Sequence, residues 1–564
     1  MPNSDQESVV ATQPQSLNVA QRLREMARQH PDQIAVAMPL RKRNSGKRDY
    51  ATITFAELEA DTNRIASGLQ AAGARAGMRM ALLVKPSIDF ITLVFALLKS
   101  GVAMVLIDPG MGRKNAIKCL SEVQPDGFVA IPIAHALRSV MRRRFPKATL
   151  NVTVGRRWFW GGYSLDQIRQ LGTSEPMELD TQPDSPAAII FTTGSTGPPK
   201  GVLYTQQNFD EQVEQIGKAY DIQPGEVDVP GFPLFGLFNA AMGVTTVIPD
   251  MDPTRPAKVE PRNIIEPIED FNATQAFGSP ALWNVVGRYC EAQEIKLPTL
   301  RRVLTAGAPV PVHLLRRIRN AIAEDGEIYT PYGATEALPV ASISSREVLQ
   351  ETASESEQGK GTCVGRRFSG IAWKVIEIMD EPIDDIHATR EVEAGEIGEL
   401  IVQGPVVTSR YVTRTDANAL HKIADGNGFW HRMGDVGYVD KTERFWFCGR
   451  KAHRVETTGG VLFTVPCEAI VNTHRDVFRS ALVGVGARPN QTPVMIVETE
   501  SKDLPASRQA EIEREIHQLM ASHSITQTIQ DVLFHPDFPV DIRHNAKIFR
   551  EQLAVWATNR IKSP

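Results

Sequence analysis

Cysteine is scarce in this 564-residue chain. Cys119, Cys290, Cys363, Cys448 and Cys467 are scattered, odd in number and without CxxC spacing, which excludes a disulfide framework and predicts reduced thiols in the cytoplasm. An excess of charge is also missing. With 62 basic against 66 acidic residues the net charge is −4, so the overall balance favours no nucleic-acid partner. Long hydrophobic runs are absent too. The most apolar stretch, Phe90 to Ile107, is broken by Lys99, Ser100 and Gly101 and flanked by Asp89 and Asp108, which suits a buried helix then a buried strand and not a transmembrane segment. The first fifteen residues have no basic start and no apolar core, so they read as a disordered tail and not a signal peptide. No internal repeat and no long low-complexity tract is present.

What remains is the composition of a soluble globular enzyme, 42% hydrophobic and 23% charged. At about 150 residues per domain the length predicts three or four folding units. From Thr52 to Ile107 helical spacing (Phe55 to Leu69) alternates with short apolar runs (Met80 to Val84, Val102 to Ile107), the grammar of an α/β fold. It returns at Gly127 to Ile133, Ala187 to Phe191, Arg301 to Leu304 before a helix around His313 to Ala323, and Glu327 to Tyr329. The Glu-, Ser- and Gly-rich stretch Glu347 to Gly361 reads as an exposed loop. Between Trp373 and Phe447 short strands and glycines take over, with a hairpin pairing Val436 to Val439 with Arg444 to Phe447. After Gly449-Arg450 the pattern changes again, through Phe463 to Val465, Ala481 to Val485, Pro493 to Glu498 and a helix near Arg508 to Ser522, predicting a small α+β domain. The expected division is therefore a tail over 1–15, a large domain over 16–449 whose β-rich part covers about 365–449, and a small domain over 450–564.

Phe191 to Gly201, Phe-Thr-Thr-Gly-Ser-Thr-Gly-Pro-Pro-Lys-Gly, gathers glycines, hydroxyls and a lysine after a short apolar strand, a composition suited to polyphosphate. It is not a Walker loop, because Pro199 and not glycine precedes Lys200. Four further segments bring groups fit for a nucleotide. Thr305-Ala306-Gly307-Ala308-Pro309 follows a strand and lets backbone approach a flat base closely. Tyr332-Gly333-Ala334-Thr335-Glu336 supplies a ring, a hydroxyl and a carboxylate, while Gly434-Asp435 precedes the hairpin and Gly449-Arg450 follows it.

With these motifs in this order, the chain from about residue 50 to 550 resembles the adenylate-forming superfamily of acyl-CoA synthetases, amino-acid-activating domains and luciferases. Arg543-His544-Asn545-Ala546-Lys547-Ile548-Phe549-Arg550 resembles the segment carrying that family's catalytic lysine. The resemblance implies a large N-terminal domain of two α/β sheet subdomains plus a β-rich one, with a small mobile C-terminal lid, using ATP and Mg²⁺. It implies that Thr192, Thr193, Gly194, Ser195, Thr196, Gly197 and Lys200 bind the β- and γ-phosphates, and that Tyr332 and Gly307, Ala308 and Pro309 flank adenine. Thr335 would meet the α-phosphate, Glu336 would hold Mg²⁺, Asp435 would bind the ribose hydroxyls, Arg450 the ribose or phosphates, and Lys547 would bridge substrate carboxylate and α-phosphate. The charge spreading over phosphorus in such a reaction calls for cations.

The superfamily commonly passes its acyl group to coenzyme A or a carrier thiol, with the small domain rotating about a hinge. Here Ala452 stands where the hinge usually has Asp or Lys, Pro233-Leu234-Phe235-Gly236 replaces a Pro-Leu-Phe-His pattern, and Met433 replaces a frequent threonine. These departures spare adenylation and weaken the case for a thioester. A β-hydroxy acid brings its own nucleophile, and holding that hydroxyl against the activated carbonyl makes ring closure intramolecular. The motif set and the ending Lys547 to Trp556 look most like the β-lactone synthetases of bacterial olefin biosynthesis, which act on long-chain 2-alkyl-3-hydroxy acids. The alternatives are a long-chain acyl-CoA or acyl-AMP ligase and a non-catalytic protein that keeps the fold. Phe232 to Val247 and Ala276 to Val286, with Phe277 and Trp283, would by analogy line an alkyl channel or else pack a core. His453 or His544 would be the candidate to take the proton from the hydroxyl, or else an ordinary exposed histidine. Basic clusters at Arg41 to Arg48, Arg142 to Arg144 and Arg156-Arg157 read first as solvated faces. The last, beside Trp158-Phe159-Trp160, also suits docking to another enzyme of the same lipid pathway.

Overall fold

The structure, a computed structural model, describes residues 16–42, 48–178, 180–192, 198–232, 235–540 and 548–561. A seven-stranded sheet runs in the order Tyr163–Ser164, Leu150–Thr153, Gly127–Ala130, Arg79–Leu83, Ala103–Leu106, Pro186–Phe191, Gly201–Thr205. All neighbours are parallel except the last pair. A larger mixed sheet holds six parallel strands, Glu327–Ala334, Arg302–Thr305, Gln275–Gly278, Val227–Pro230, Thr245–Val247 and Ile34–Lys42, closed at one edge by antiparallel Arg48–Thr54. Its other flank becomes antiparallel from Ala337–Ser344 onward and forms the expected β-rich part. Parallel strands buried on both faces read as apolar runs, which is why the sequence displayed them. The terminal part carries the three-stranded sheet Val477–Val485, Thr492–Thr499, Asp531–Phe534 under helix Ala506–Ala521, and a two-stranded ribbon, Val455–Thr457 with Gly460–Leu462.

Helix Ile88–Lys99 accounts for the longest apolar stretch. Ser87 caps it by accepting from Phe90 N at 3.1 Å, and every residue from Phe90 onward is buried. Full burial of each large apolar side chain contributes about 1.5 to 3 kcal/mol. Lys99 is tolerated there because its Nζ donates to Glu59 Oε2 at 2.6 Å, Thr62 Oγ1 at 2.6 Å and Asn63 Oδ1 at 2.7 Å, while burial lowers its pKa to about 8. Among the described residues no helix is long and apolar enough to cross a membrane, and the five cysteines are buried and free.

Three expectations need correction. Glu347 to Gly361 is not an exposed loop. Most of it continues a helical stretch from Ser345 that Gly359 (φ +84°) interrupts near its end; the stretch is opened by a capping box in which Ser344 accepts from Glu347 N, and Thr352 and Ala353 are buried. The strand beginning at Gly127 ends at Ala130, since Pro132 starts helix Pro132–Val140. Phe463 to Val465 leads into helix Thr464–Val471 and is not a strand.

Candidate active site

Strands of both sheets deliver their carboxyl ends to one open cleft of about 3080 Å³. Thr192, Lys200, Gly307, Ala308, Pro309, Tyr332, Thr335, Glu336, Asp435 and Arg450 all line it. Thr193, Gly194, Ser195, Thr196, Gly197 and Lys547 lie outside the described residues. The base of the glycine-rich loop is closed reciprocally: Thr192 N donates to Lys200 O, and Lys200 N to Thr192 Oγ1, each at 3.0 Å.

Lys200 Nζ lies 3.0 Å from His421 Nε2 and 4.8 Å from the centre of the Tyr411 ring. His421 Nδ1 faces Arg432 O at 3.5 Å, so a proton on Nδ1 leaves Nε2 free to accept from the ammonium. Burial first, and the Lys200 charge second, hold His421 at about 3, so the ring is neutral at pH 7. Burial also lowers the Lys200 pKa, against the opposing pull of Glu336.

Glu336 is gripped from a distant segment. Tyr411 Oη donates to its Oε1 at 2.7 Å, and Thr408 donates to its carbonyl through both N and Oγ1 at 2.9 Å. Burial and this carboxylate push the Tyr411 phenol well up. Tyr204 Oη fixes the neighbouring carbonyl of Thr335 at 2.6 Å. Lys422 Nζ donates to Thr408 O behind this group, and burial lowers its pKa to about 7. Among the described residues no hydrogen bond reaches the second Glu336 oxygen, which leaves a carboxylate oxygen suited to a hard divalent cation such as Mg²⁺.

The hairpin register itself pairs Asp435 with Arg450. Arg450 Nη1 donates to Asp435 Oδ1 at 2.6 Å and to Met433 O at 3.1 Å, while Tyr332 Oη donates to Asp435 Oδ2. Asp435 thus raises the Arg450 pKa, and burial with Asp435 raises that of Tyr332. Gly307 has φ +98°, a conformation side chains rarely adopt, and it stands exposed facing the cleft. Carboxylate, guanidinium and ring thus share one cleft with a lysine and a glutamate.

Residues 23–412 match the AMP-binding enzyme family. The chain belongs to that family. This AMP-binding enzyme is 45% identical over 550 residues, 96% of its own length and 98% of the relative's, to the olefin beta-lactone synthetase of Xanthomonas campestris pv. campestris. It is 45% identical over 559 residues, 97% and 99% respectively, to the olefin beta-lactone synthetase of Stenotrophomonas maltophilia. Its fold matches that of the anthranilate CoA ligase AuaEII in complex with anthranoyl-AMP, with TM-score 0.77 at 17% identity over 98% of this chain and 99% of that one.

Beyond the nucleotide end, the cleft of the AMP-binding enzyme is apolar. Phe232, Phe235, Phe238 and Phe277 line it, and the Phe235 and Phe277 rings stack with centroids 3.7 Å apart. Trp283 is not part of this lining. Only 2% exposed, it packs on the core side of helix Pro280–Ala292 with Leu282 and Val286. His453 lines the cleft with Nε2 3.2 Å from Glu551 Oε1, while His544 lies outside the described residues. Ala452 sits in the turn Lys451–His453, where Lys451 Nζ donates to Glu399 Oε2 at 3.0 Å and Arg488 donates to the Ala452 carbonyl at 2.7 Å.

Sequence reasoning missed Tyr204, Thr408, Tyr411, His421 and Lys422. Tyr204 is on strand Gly201–Thr205, Thr408 and Tyr411 are in a loop, His421 ends helix Ala417–His421 and Lys422 opens strand Lys422–Asp425, and only the fold brings them to Lys200 and Glu336. Val202, on the strand leaving the glycine-rich loop, bridges directly to Tyr411, a contact that no local pattern encodes.

Proposed function

We propose that this enzyme activates a long-chain 2-alkyl-3-hydroxy acid with ATP, giving acyl-AMP and pyrophosphate. The β-hydroxyl oxygen then attacks the activated carbonyl, expelling AMP and closing a β-lactone, a step toward olefin hydrocarbons. The observation carrying this reading is 45% identity over nearly the whole chain to two enzymes named olefin beta-lactone synthetase.

In this reading Asp435 accepts from the ribose hydroxyls, Arg450 meets ribose or phosphate, and Tyr332 with Gly307 to Pro309 flanks adenine. Thr192 to Gly197 and Lys200 hold the β- and γ-phosphates. Thr335 contacts the α-phosphate and Lys547 bridges it to the substrate carboxylate. Glu336 would hold Mg²⁺, which when bound neutralises charge on the phosphate oxygens. His421 Nε2 accepts a hydrogen bond from the Lys200 ammonium and so aims it, while Tyr411 orients the Glu336 carboxylate. The phenylalanine-lined limb takes the alkyl chains, and exclusion of water there protects the adenylate from hydrolysis.

A large unit over 16–449 and a lid over 450–564 fit this chemistry, since Lys547 must cross the cleft. The free thiols support a cytoplasmic site of action, within reach of other enzymes of the same lipid pathway. The test is incubation with ATP, Mg²⁺ and a long-chain 2-alkyl-3-hydroxy acid, with and without coenzyme A, read by mass spectrometry. Lactone in both arms is expected. Acyl-CoA without lactone would establish a long-chain acyl-CoA ligase instead.

A further inference from the structure

Five of the large hydrophobic side chains that stand well out of the surface lie between Ile133 and Phe159 in the sequence. Ile133 (72% exposed), Leu137 (43%) and Val140 (84%) recur at helical spacing along one face of helix Pro132–Val140. Trp158 (59%) and Phe159 (80%) project from the following loop. That loop is built onto the helix: the Trp160 ring stacks on His135 with centroids 5.9 Å apart, Trp160 Nε1 donates to Thr153 Oγ1 at 2.9 Å, and Arg138 donates to the Trp160 carbonyl at 3.4 Å. Trp158 and Phe159 therefore stand on a loop fixed to the His135 and Arg138 side of the helix, away from its Ile133, Leu137 and Val140 face.

The charge along this stretch of the sequence is all of one sign. From Ile131 to Gly162 the sequence has no Asp or Glu, yet it carries Arg138, Arg142 to Arg144, Lys147, Arg156 and Arg157 in a chain whose net charge is −4. Arg142, Arg143, Arg144, Lys147, Arg156 and Arg157 are exposed. Indole and phenyl groups beside a polybasic surface match the interface of an anionic bilayer, where aromatic rings sit at headgroup depth and arginines meet phosphates. Ile133 and Leu137 line the active-site cleft, so the helix that carries the Trp158–Phe159 loop on one side borders the route to the site on the other.

We propose that this face docks the enzyme peripherally on an anionic phospholipid surface, with Trp158 and Phe159 inserted among the headgroups. The bilayer would then be the reservoir from which a water-insoluble acid enters the cleft. Docking stands on the patch alone; its link to substrate supply rests on the proposed long-chain substrate.

Flotation with vesicles of phosphatidylcholine containing phosphatidylglycerol, against pure phosphatidylcholine, tests it. Binding to the anionic vesicles alone is expected, fading at high salt and accompanied by a blue shift of tryptophan emission. Trp158→Ala with Phe159→Ala should weaken binding by about tenfold, and reversing Arg142 to Arg144 to glutamate by more than about a hundredfold. Both variants should retain wild-type pyrophosphate exchange with a short, soluble acid, which checks that they fold. No vesicle binding, equal binding to neutral vesicles, or binding unaffected by both variants would overturn the proposal. So would variants that instead lose association with a protein partner.

Discussion

Lys200 Nζ and His421 Nε2 face each other at 3.0 Å, an ammonium aimed by a ring that is itself uncharged. The sign of the resulting pH dependence follows from the depressed histidine. The unfolded chain binds a proton at His421 below about pH 6.5, whereas the folded one resists until about 3, so stability falls as pH drops through that window. His421→Gln should flatten the loss by on the order of 3 kcal/mol at pH 4. Urea unfolding at pH 7 and pH 4 measures it; equal slopes in both proteins would remove His421 from the account.

Asp435 serves Tyr332 and Arg450 at once, so Asp435→Ala removes the acceptor shared by two half-buried donors and leaves Arg450 with Met433 O. A stability loss of about 2 to 4 kcal/mol is expected. ATP affinity should fall by roughly a hundredfold, since the ribose loses an ionic acceptor as well. Calorimetric titration with ATP distinguishes this from a purely structural defect.

Lys547→Ala should abolish adenylation while ATP still binds. Substrate-dependent pyrophosphate exchange reads the first and nucleotide titration the second; unchanged turnover would take Lys547 out of the site.

Trp283→Ala should cost about 3 to 5 kcal/mol by opening a cavity in the core. Because this ring packs away from the cleft, the surviving activity should keep its preference for alkyl chain length, read by competition between short and long acids. Phe235→Ala, which removes a cleft wall stacked on Phe277, should shift that preference.

Glu399 places one carboxylate oxygen between Arg432 and Lys451, with the Glu399 and Arg432 side chains each 1% exposed. Glu399→Gln should destabilise by about 3 to 5 kcal/mol, because two cations lose their counter-charge. Thermal unfolding tests this directly.

The nucleotide end of the site was legible because its residues sit next to strands in compact, ordered motifs: Tyr332 and Glu336 are four residues apart, and Asp435 and Arg450 are joined by a hairpin. Tyr411 and His421 were not, because their value lies in distance across the fold. For Trp283 the sequence left channel and core open, since an apolar helix carries no mark of which neighbour its face will meet; the fold places it in the core and Phe277 on the cleft. Helix Ser345 to Lys360 hid behind a polar composition, although Ser344 and Glu347 spelled a helix start.

The four residues from Lys451 to Arg454 are fastened from both directions. Lys451 is tied to Glu399, Arg454 to Asp380, and Arg488 of the terminal part grips the carbonyls of Ala452 and Arg454. A swivel here could not be a gradual drift. It would have to exchange one set of ion pairs for another, and with Asp380 half in water that exchange would answer to ionic strength, giving the experimenter a dial on the timing of the catalytic cycle.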